Sequence, residues 1–599
     1  MAATAAPVSR RALEARSMAE AFRITAEDFG DRVAVRTKDD GVSLTWGELR
    51  DRVDALAGGL AARGVRHGDT VALMFSNRPE FHLADLAVMM LGAVPYSIYT
   101  TSAPEQIAYV VGDAGSKVAL VEDAYLDVFQ AARDDAPGLE TLIVLEGERG
   151  EGTTAWADVE GADPGFDVES AWRAVGPDDL LTLIYTSGTT GPPKGVELAH
   201  SNLLAAVESV EAMIRFPDAA KVISWLPSAH IAERAAHHYL PMVYAMTITC
   251  CDNPREVVSY LPLVKPTWFF AVPRIWEKLK AGLEAMLAGQ PAEQREPAQA
   301  ALAAAVRKVE LEQAGEPVPE ELAAAVAAAD AQMFAGLRAM LGLDEAVSVN
   351  VGAAPTPREV LVFFHAIGIE LAELWGMSET CGSGCCNPPG AVRIGTVGPP
   401  APGVEITLGD DGEVLMRSPV VMRGYRNQPD KTAEALDPDG WLHTGDIGEF
   451  DDHGYLRIVD RKKELIISAA GKNMSPANIE ATMKSASPLI GQVVAIGDGR
   501  AYNTALVVLD ADFAPAWAAQ NGLEGVAIEA LASDERMRAA IQAGVDAGNA
   551  RLARVEQLKR FTIIPGDWAP GGDELTPTMK LKRRPIAEKY TDEIEAMYH

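Results

Sequence analysis

The sequence predicts an α/β protein: a large N-terminal region of layered strands and helices, followed by a small α+β unit. Three observations predict it. Residues 43–123 alternate helical and strand patterns, residues after about 400 change to short strands separated by Gly and Asp turns, and a charged run at 460–464 precedes a final mixed segment. With 599 residues, two to four structural units are expected.

Each element follows from its residues. Leu49, Val53, Leu56 and Leu60 recur at helical spacing, and 70–75 and 118–121 read as short strands. This βαβ rhythm predicts a mostly parallel sheet covered by helices. The apolar run 180–185 lies between acidic residues and glycines and predicts a buried strand that opens into a loop. Further strands are predicted at 222–225, 268–272 and 347–351. Residues 277–345 are Ala-rich, charged and poor in β-branched residues, which predicts a helical insertion. Pro291, Pro297, Pro317 and Pro319 should break it into separate helices. Gly409-Asp410-Asp411-Gly412 and Asp451-Asp452-His453-Gly454 are hairpin signals. Beyond the junction, strands are expected at 492–496 and 505–509, with helices near 524–560.

Composition narrows the function. Apolar residues make up 48%, enough for a large core. A formal charge of −32 argues against nucleic-acid partners, which select basic surfaces, and against broad adsorption to anionic membranes. The five cysteines lie mostly as adjacent pairs, which suits a reducing compartment and forms no disulfide framework. Cys381, Cys385 and Cys386 have neither a His nor a second pair at zinc spacing. Residues 1–22 lack the apolar stretch of a signal peptide, and 86–99 is too short to span a bilayer and contains Pro95. A cytoplasmic protein is expected, with peripheral membrane contact and a homodimer left open.

The strongest chemical signal is Tyr185-Thr186-Ser187-Gly188-Thr189-Thr190-Gly191-Pro192-Pro193-Lys194. A Gly/Ser/Thr turn after a buried strand offers N–H groups and hydroxyls to phosphates, and Lys194 adds a mobile cation. The Walker A spacing is absent, so a P-loop NTPase loses support. Alone, such a loop is commonly an ordinary surface loop.

Residues 185–196 resemble the phosphate-binding loop of the adenylate-forming superfamily, and further motifs follow in order from about residue 20 to the C-terminus. The nearest resemblance is to bacterial long-chain fatty-acid–CoA ligases, including the group similar to bubblegum-type very-long-chain enzymes. Gly352-Ala353-Ala354-Pro355 resembles the adenine-side segment. Trp375-Gly376-Met377-Ser378-Glu379 resembles the aromatic-Gly-x-Ser/Thr-Glu motif, with Trp where most members have Tyr. The resemblance implies that Trp375 stacks on adenine, Ser378 contacts the α-phosphate or the substrate carboxylate, and Glu379 with Thr186 binds Mg²⁺. Asp446 in Trp441-Leu442-His443-Thr444-Gly445-Asp446 would bind both ribose hydroxyls. Arg461 would assist it, and Lys463 would be the hinge in Asp460-Arg461-Lys462-Lys463-Glu464. Lys580 in Leu575-Thr576-Pro577-Thr578-Met579-Lys580 would be the catalytic lysine, acting with Lys194 and Glu379. Lys580, Lys582, Arg583 and Arg584 alternatively read as a basic tail facing solvent, phospholipid or the phosphates of CoA.

The fold implied is an N-terminal adenylation domain over 1–459 that includes a small distorted β-barrel, a hinge at 460–464 and a mobile C-terminal lid over 465–599. ATP, Mg²⁺ and CoA would be used with a fatty acid. Trp225-Leu226-Pro227-Ser228-Ala229-His230-Ile231-Ala232-Glu233-Arg234 resembles the acyl-site segment of long-chain ligases, so His230, Glu233, Ala353 and Met377 are the expected acyl-side residues. Ala229 leaves room for an apolar tunnel, whereas the gating Trp of some bacterial long-chain ligases has no counterpart after His230. His230 also reads as a core histidine. A carrier-protein-loading ligase, a non-catalytic regulator of the same fold and a luciferase-like monooxygenase are the alternatives. The first lacks its expected insertion after Lys463, and the second should have lost Lys580 or Glu379.

Overall fold

The computed structural model describes residues 10–146, 152–186, 192–467, 473–576 and 579–599. The helix Trp46–Ala62 starts on a capping box, in which Thr45 Oγ1 accepts from Glu48 N and Glu48 returns the bond to Thr45 N. Its predicted stripe, Leu49, Val53, Leu56 and Leu60, is buried. The strands that follow, Thr70–Met74, Val94–Ser97 and Val118–Val121, join Thr141–Val144 and Thr153–Ala155 in a five-stranded parallel sheet. All three are buried along their whole length, as parallel strands covered on both faces must be.

The parallel architecture is divided among several sheets. Lys221–Ser224, Thr247–Cys250 and Val33–Thr37 run parallel in a second sheet, with Ser43–Thr45 antiparallel at its edge. Trp268–Ala271, Ser348–Val351 and Leu371–Trp375 run parallel in a third, closed by the antiparallel Cys385–Cys386. Leu180–Thr186 belongs to none of these. It forms an antiparallel hairpin with Lys194–Ala199, and Gly424–Tyr425 extends that ribbon.

The insertion is helical, but Pro297 does not break it. It lies in the second turn of Ala292–Gln313, where its missing N–H removes one bond near an end whose first four N–H groups lack partners anyway. The insertion packs on the third sheet through Trp276, Phe334, Leu337 and Leu341, with Trp276 set edge-on to Phe364 at 5.0 Å. Met340, placed on the same helical face by its spacing, is exposed.

Beyond residue 400, Glu405–Leu408, Glu413–Arg417, Leu442–Phe450 and Leu456–Arg461 form an antiparallel meander. Both predicted turn sequences lie between paired strands of this sheet, which stands where the barrel is expected. The smaller C-terminal domain has its own core around Ile479, Ile490, Val507 and Ile541. Its sheet holds Ile490–Ile496, Asn503–Leu509 and Leu558–Ile564. The last of these corrects the expectation of helix up to 560. It pairs parallel to Asn503–Leu509, and the return helix Glu535–Asn549 makes that connection.

Candidate active site

The two flanks of the signature loop are the ends of one hairpin. Thr186 pairs in register with Lys194, and Thr186 Oγ1 donates to Lys194 O at 3.4 Å. Ser187, Gly188, Thr189, Thr190 and Gly191 lie outside the described residues. The hairpin is anchored from below: Tyr185 donates its hydroxyl to Asp113 Oδ2 at 2.8 Å, and its ring fills the space over Gly195.

Lys194 meets Glu379 through a residue the motif reading missed. Its Nζ sits 3.8 Å from the centroid of the Tyr425 ring, and the Tyr425 hydroxyl donates to Glu379 Oε1 at 2.7 Å. Desolvation lowers the Lys194 pKa, Glu379 opposes the shift and Lys463 adds to it. Lys463 is therefore within electrostatic reach of Lys194. Met422 N donates to the Glu379 carbonyl at 2.8 Å, so the strand that carries Tyr425 is fixed to the residue its hydroxyl holds.

The segment before Glu379 is tightly built. A Cβ at Gly376 would fall 2.1 Å from Gly382 O, so no larger residue fits without moving backbone. Gly352 is walled by Leu374, and Ala353 next to it holds φ +68°, a left-handed conformation costly for a residue with a Cβ. Ala354 is exposed beside it. Met377 N donates to Thr380 Oγ1 at 3.1 Å, and Ser378 and Glu379 lie in the single turn Ser378–Thr380. Trp375 is only 9% exposed, with its ring against Gly384, which leaves little of its face for a ligand to stack on. Its indole N–H is directed at Asp446 Oδ2, 2.7 Å away.

Asp446 is buried, and its second oxygen lies 3.0 Å from Arg461 Nε. The two residues face each other across the strands Leu442–Phe450 and Leu456–Arg461. Asp446 is the largest cause of the raised Arg461 pKa.

The acyl-side residues separate into two groups. His230 caps the turn Ile231–Glu233 by accepting from Ala232 N through Nδ1 at 3.1 Å. Desolvation pushes its pKa down to about 3, helped by the charge of Lys580, so the ring is neutral with its proton on Nε2. Met377 is half-buried against the same core as Ile231. Glu233 is placed differently from the acyl-contact expectation. Its Oε1 accepts from Ser224 Oγ at 2.5 Å and Asn77 Nδ2 at 3.2 Å. Its Oε2 accepts from Leu226 N at 3.0 Å and is paired with His237 Nδ1 at 2.7 Å. A carboxylate occupied in this way fixes the segment from inside, and its signal in the sequence is indistinguishable from that of a ligand-facing one.

Lys580 comes from the other domain. The turn that carries it is closed by Thr576 N donating to Lys580 O at 2.8 Å and Lys580 N donating to Thr576 Oγ1 at 3.0 Å, with Met579 at φ +65°. Lys580 is an exposed residue, yet its ammonium lies near enough to protein groups to lose solvation. That desolvation lowers its pKa first, then Arg461, against the opposing pull of Asp446 and Glu379. The basic cluster around it is not one solvent-facing patch. Arg583 donates to both Glu480 oxygens at 2.6 and 2.9 Å and to Glu464 at 3.1 Å, and Lys582 donates to Gly572 O at 2.7 Å. Arg584 pairs outward with Glu588 at 2.8 Å.

Lys194, Arg461 and Lys580 are thus all within electrostatic reach of Glu379. The model of the family described as "AMP-binding enzyme" matches residues 22–426, and that described as "AMP-binding enzyme C-terminal domain" matches 463–599.

The chain belongs to the AMP-binding enzyme family.

This AMP-binding enzyme is 34% identical to the long-chain-fatty-acid–CoA ligase FadD15 of Mycobacterium bovis over 588 residues, 96% of this chain and 95% of that one. It is 30% identical to the long-chain-fatty-acid–CoA ligase ACSBG2 of Xenopus laevis over 616 residues, 96% of this chain and 83% of that one. The A domain of a carboxylic acid reductase from Segniliparus rugosus, solved with AMP and a co-purified carboxylic acid, superposes with a TM-score of 0.75 at 19% identity. That match covers 98% of this chain and 96% of the other, a likeness of fold. Among the described residues no group of three or more His, Cys, Asp or Glu could cage a metal, and no helix is long and apolar enough to cross a membrane.

Proposed function

We propose that this enzyme activates a long-chain fatty acid with ATP and then transfers the acyl group to CoA. A carboxylate oxygen of the acid attacks the α-phosphorus, the bond to pyrophosphate breaks, and acyl-AMP forms. The thiol of CoA then attacks the acyl carbon and AMP leaves. The observation that supports the reading most is that Lys580 of the C-terminal domain lies within electrostatic reach of Glu379, Asp446, Arg461 and His230 of the large domain. A cation held there stabilises charge that develops between carboxylate and α-phosphate. The full-length similarity to ligases named for long-chain fatty acids supports the choice of acid.

In this reading residues 187–191 and Lys194 hold the β- and γ-phosphates, and Ser378 holds the α-phosphate. Residues 352–354 and Gly376 line the base, and Asp446 with Arg461 takes the ribose. His230, Ala353 and Met377 face the acid. Glu379 with Thr186 would hold Mg²⁺. A site with one carboxylate and a hydroxyl fits that ion, which keeps waters and shares phosphate oxygens rather than filling an all-protein cage. Bound there, it neutralises phosphate charge. Residues 1–459 form the adenylation domain, 460–464 the hinge and 465–599 the lid, which rotates about Lys463 to admit the thiol.

Two experiments test this. Pyrophosphate release is measured across acids from acetate to very long chains, with and without CoA. Turnover is expected with long chains and acyl-CoA as product. No release with any fatty acid overturns the substrate, and release without acyl-CoA moves the acceptor to a carrier protein. Lys580→Ala is expected to lower adenylation at least 100-fold, the scale of a single lost oxyanion donor, while thioester formation from supplied acyl-AMP survives. Equal loss of both half-reactions overturns the role of Lys580.

A further inference from the structure

Both oxygens of Asp446 are already engaged by the protein. Trp375 Nε1 donates to Oδ2 at 2.7 Å, and Arg461 Nε lies 3.0 Å from Oδ1. An ionised carboxylate offers about four lone-pair sites. The indole N–H takes one on Oδ2 and Arg461 is ion-paired at Oδ1, which leaves at least one on each oxygen for the 2′- and 3′-hydroxyls of a ribose. We propose that Trp375 is a positioning residue that fixes the rotation of the Asp446 carboxylate and thereby sets the preference for ribose over deoxyribose nucleotides. The inference rests on the reading of Asp446 as the ribose carboxylate.

The two clamps differ in rigidity. Arg461 is half-exposed at the end of the strand Leu456–Arg461, so solvent competes for its guanidinium. Trp375 is not. It ends the strand Leu371–Trp375, pairs with Cys385, and packs so closely on Gly384 that a Cβ there would lie 2.7 Å from its ring. The ring cannot swing away from this position, and indole is a donor only, so it has no second bonding option at Asp446. The indole therefore holds the carboxylate's orientation independently of how solvent engages Arg461. An aromatic ring lacking an N–H at this place would fill the same volume and leave Asp446 free to turn about its terminal torsion, which is broad and weakly restrained.

The test uses the full-length enzyme with Trp375→Phe, Asp446→Asn and the double variant, each assayed for pyrophosphate release with ATP and with 2′-deoxy-ATP. A second form carries 3-benzothienylalanine at 375, which keeps the indole shape without its N–H. Trp375→Phe is expected to raise KM for ATP about tenfold, the worth of one hydrogen bond to a charged group, with a smaller change in kcat. The ratio of kcat/KM for ATP over 2′-deoxy-ATP should narrow. The benzothienyl form should behave alike, and the effect should vanish in the Asp446→Asn background. An unchanged nucleotide ratio in the benzothienyl form overturns the proposal, as does an equal loss for both nucleotides. If Asp446→Asn itself leaves KM for ATP unchanged, the ribose assignment falls instead, so the two failures are separable.

Discussion

His200 and His230 are buried as neutral rings, and each accepts a backbone N–H through Nδ1: His200 from Met18 N at 3.0 Å, His230 from Ala232 N at 3.1 Å. Desolvation pushes both to about 3. An unfolded His titrates near 6.5, so between about pH 6.5 and 3 the unfolded chain binds protons that the folded chain refuses. Stability from these rings is complete above pH 6.5 and is lost as pH falls through that window. At pH 5 each ring costs about 2 kcal/mol. Glu373, raised to about 7 by burial, works in the opposite sense as pH rises from 4.5, so a variant comparison is the clean measurement. His200→Gln, which keeps an acceptor and loses the titration, is expected to shrink the drop in unfolding free energy between pH 7 and 5 by about 2 kcal/mol. Denaturant titration at both pH values checks this, and an unchanged drop contradicts it. At this scale the sequence is most informative where a residue sits in a motif: Asp446, Glu379 and Lys580 were picked out that way, and both carboxylates act on the Lys580 ammonium. Tyr425 was not, because a lone Gly-Tyr pair carries no pattern and its importance comes from a strand that pairs it with Val196.

The segment from His230 through the π-turn Arg234–Tyr239 is held by buried polar groups rather than by apolar packing alone. Glu233 is the centre, with Ser224, Asn77, Leu226 N and His237 around it. Arg234 is fully buried against Asp85, and Tyr239 also donates to Asp85, at 3.1 Å. Substituting Glu233→Gln presents an amide donor to a ring of donors and removes the charge that satisfies them. The cost of such a mismatch is roughly 2–4 kcal/mol. The expected outcome is a lower melting midpoint and a KM for the fatty acid raised several-fold more than KM for ATP. Steady-state kinetics with each substrate varied in turn checks it, and equal rises in both KM values would mean that the segment supports the whole cleft rather than the acyl side. Elements with strong periodicity, such as Trp46–Ala62 and Val118–Val121, were legible in advance. Leu558–Ile564 was not, since a short strand after a long helix continues an apolar pattern and only its parallel partner defines it. Pro297 misled because it sits in the second turn of its helix, where the loss of one bond near the end is tolerated.

The two domains meet through charges. Arg274, at the start of the helix Pro273–Ala288, pairs with Asp510 and with its own neighbour Glu277. Lys278 one turn on pairs with Asp512 at 2.5 Å, and Arg551 reaches back to Glu359 at 2.7 Å. Exposed pairs of this kind are each worth ~0–1 kcal/mol and weaken with salt. Asp510 is the exception. It is buried, and it also caps the turn that starts Phe513–Gln520 by accepting from Asp512 N and Phe513 N, both at 3.0 Å. Its pairing with Arg274 is therefore the strongest of the three, and under the proposed domain rotation it belongs to the arrangement that sets Lys580 within electrostatic reach of Asp446 and Glu379. A contact made in one arrangement only shifts the balance between the two by its own free energy. For Arg274→Ala the expected shift is ~1 kcal/mol, about fivefold, away from the adenylating arrangement. Adenylation measured by pyrophosphate release should slow about fivefold, and thioester formation from supplied acyl-AMP should hold or rise. Added salt should slow the wild type in the same direction and have less effect on the variant. If both half-reactions slow together, Arg274 supports the large domain alone. If neither changes, the small domain is held by its apolar contacts and the charges only decorate the seam.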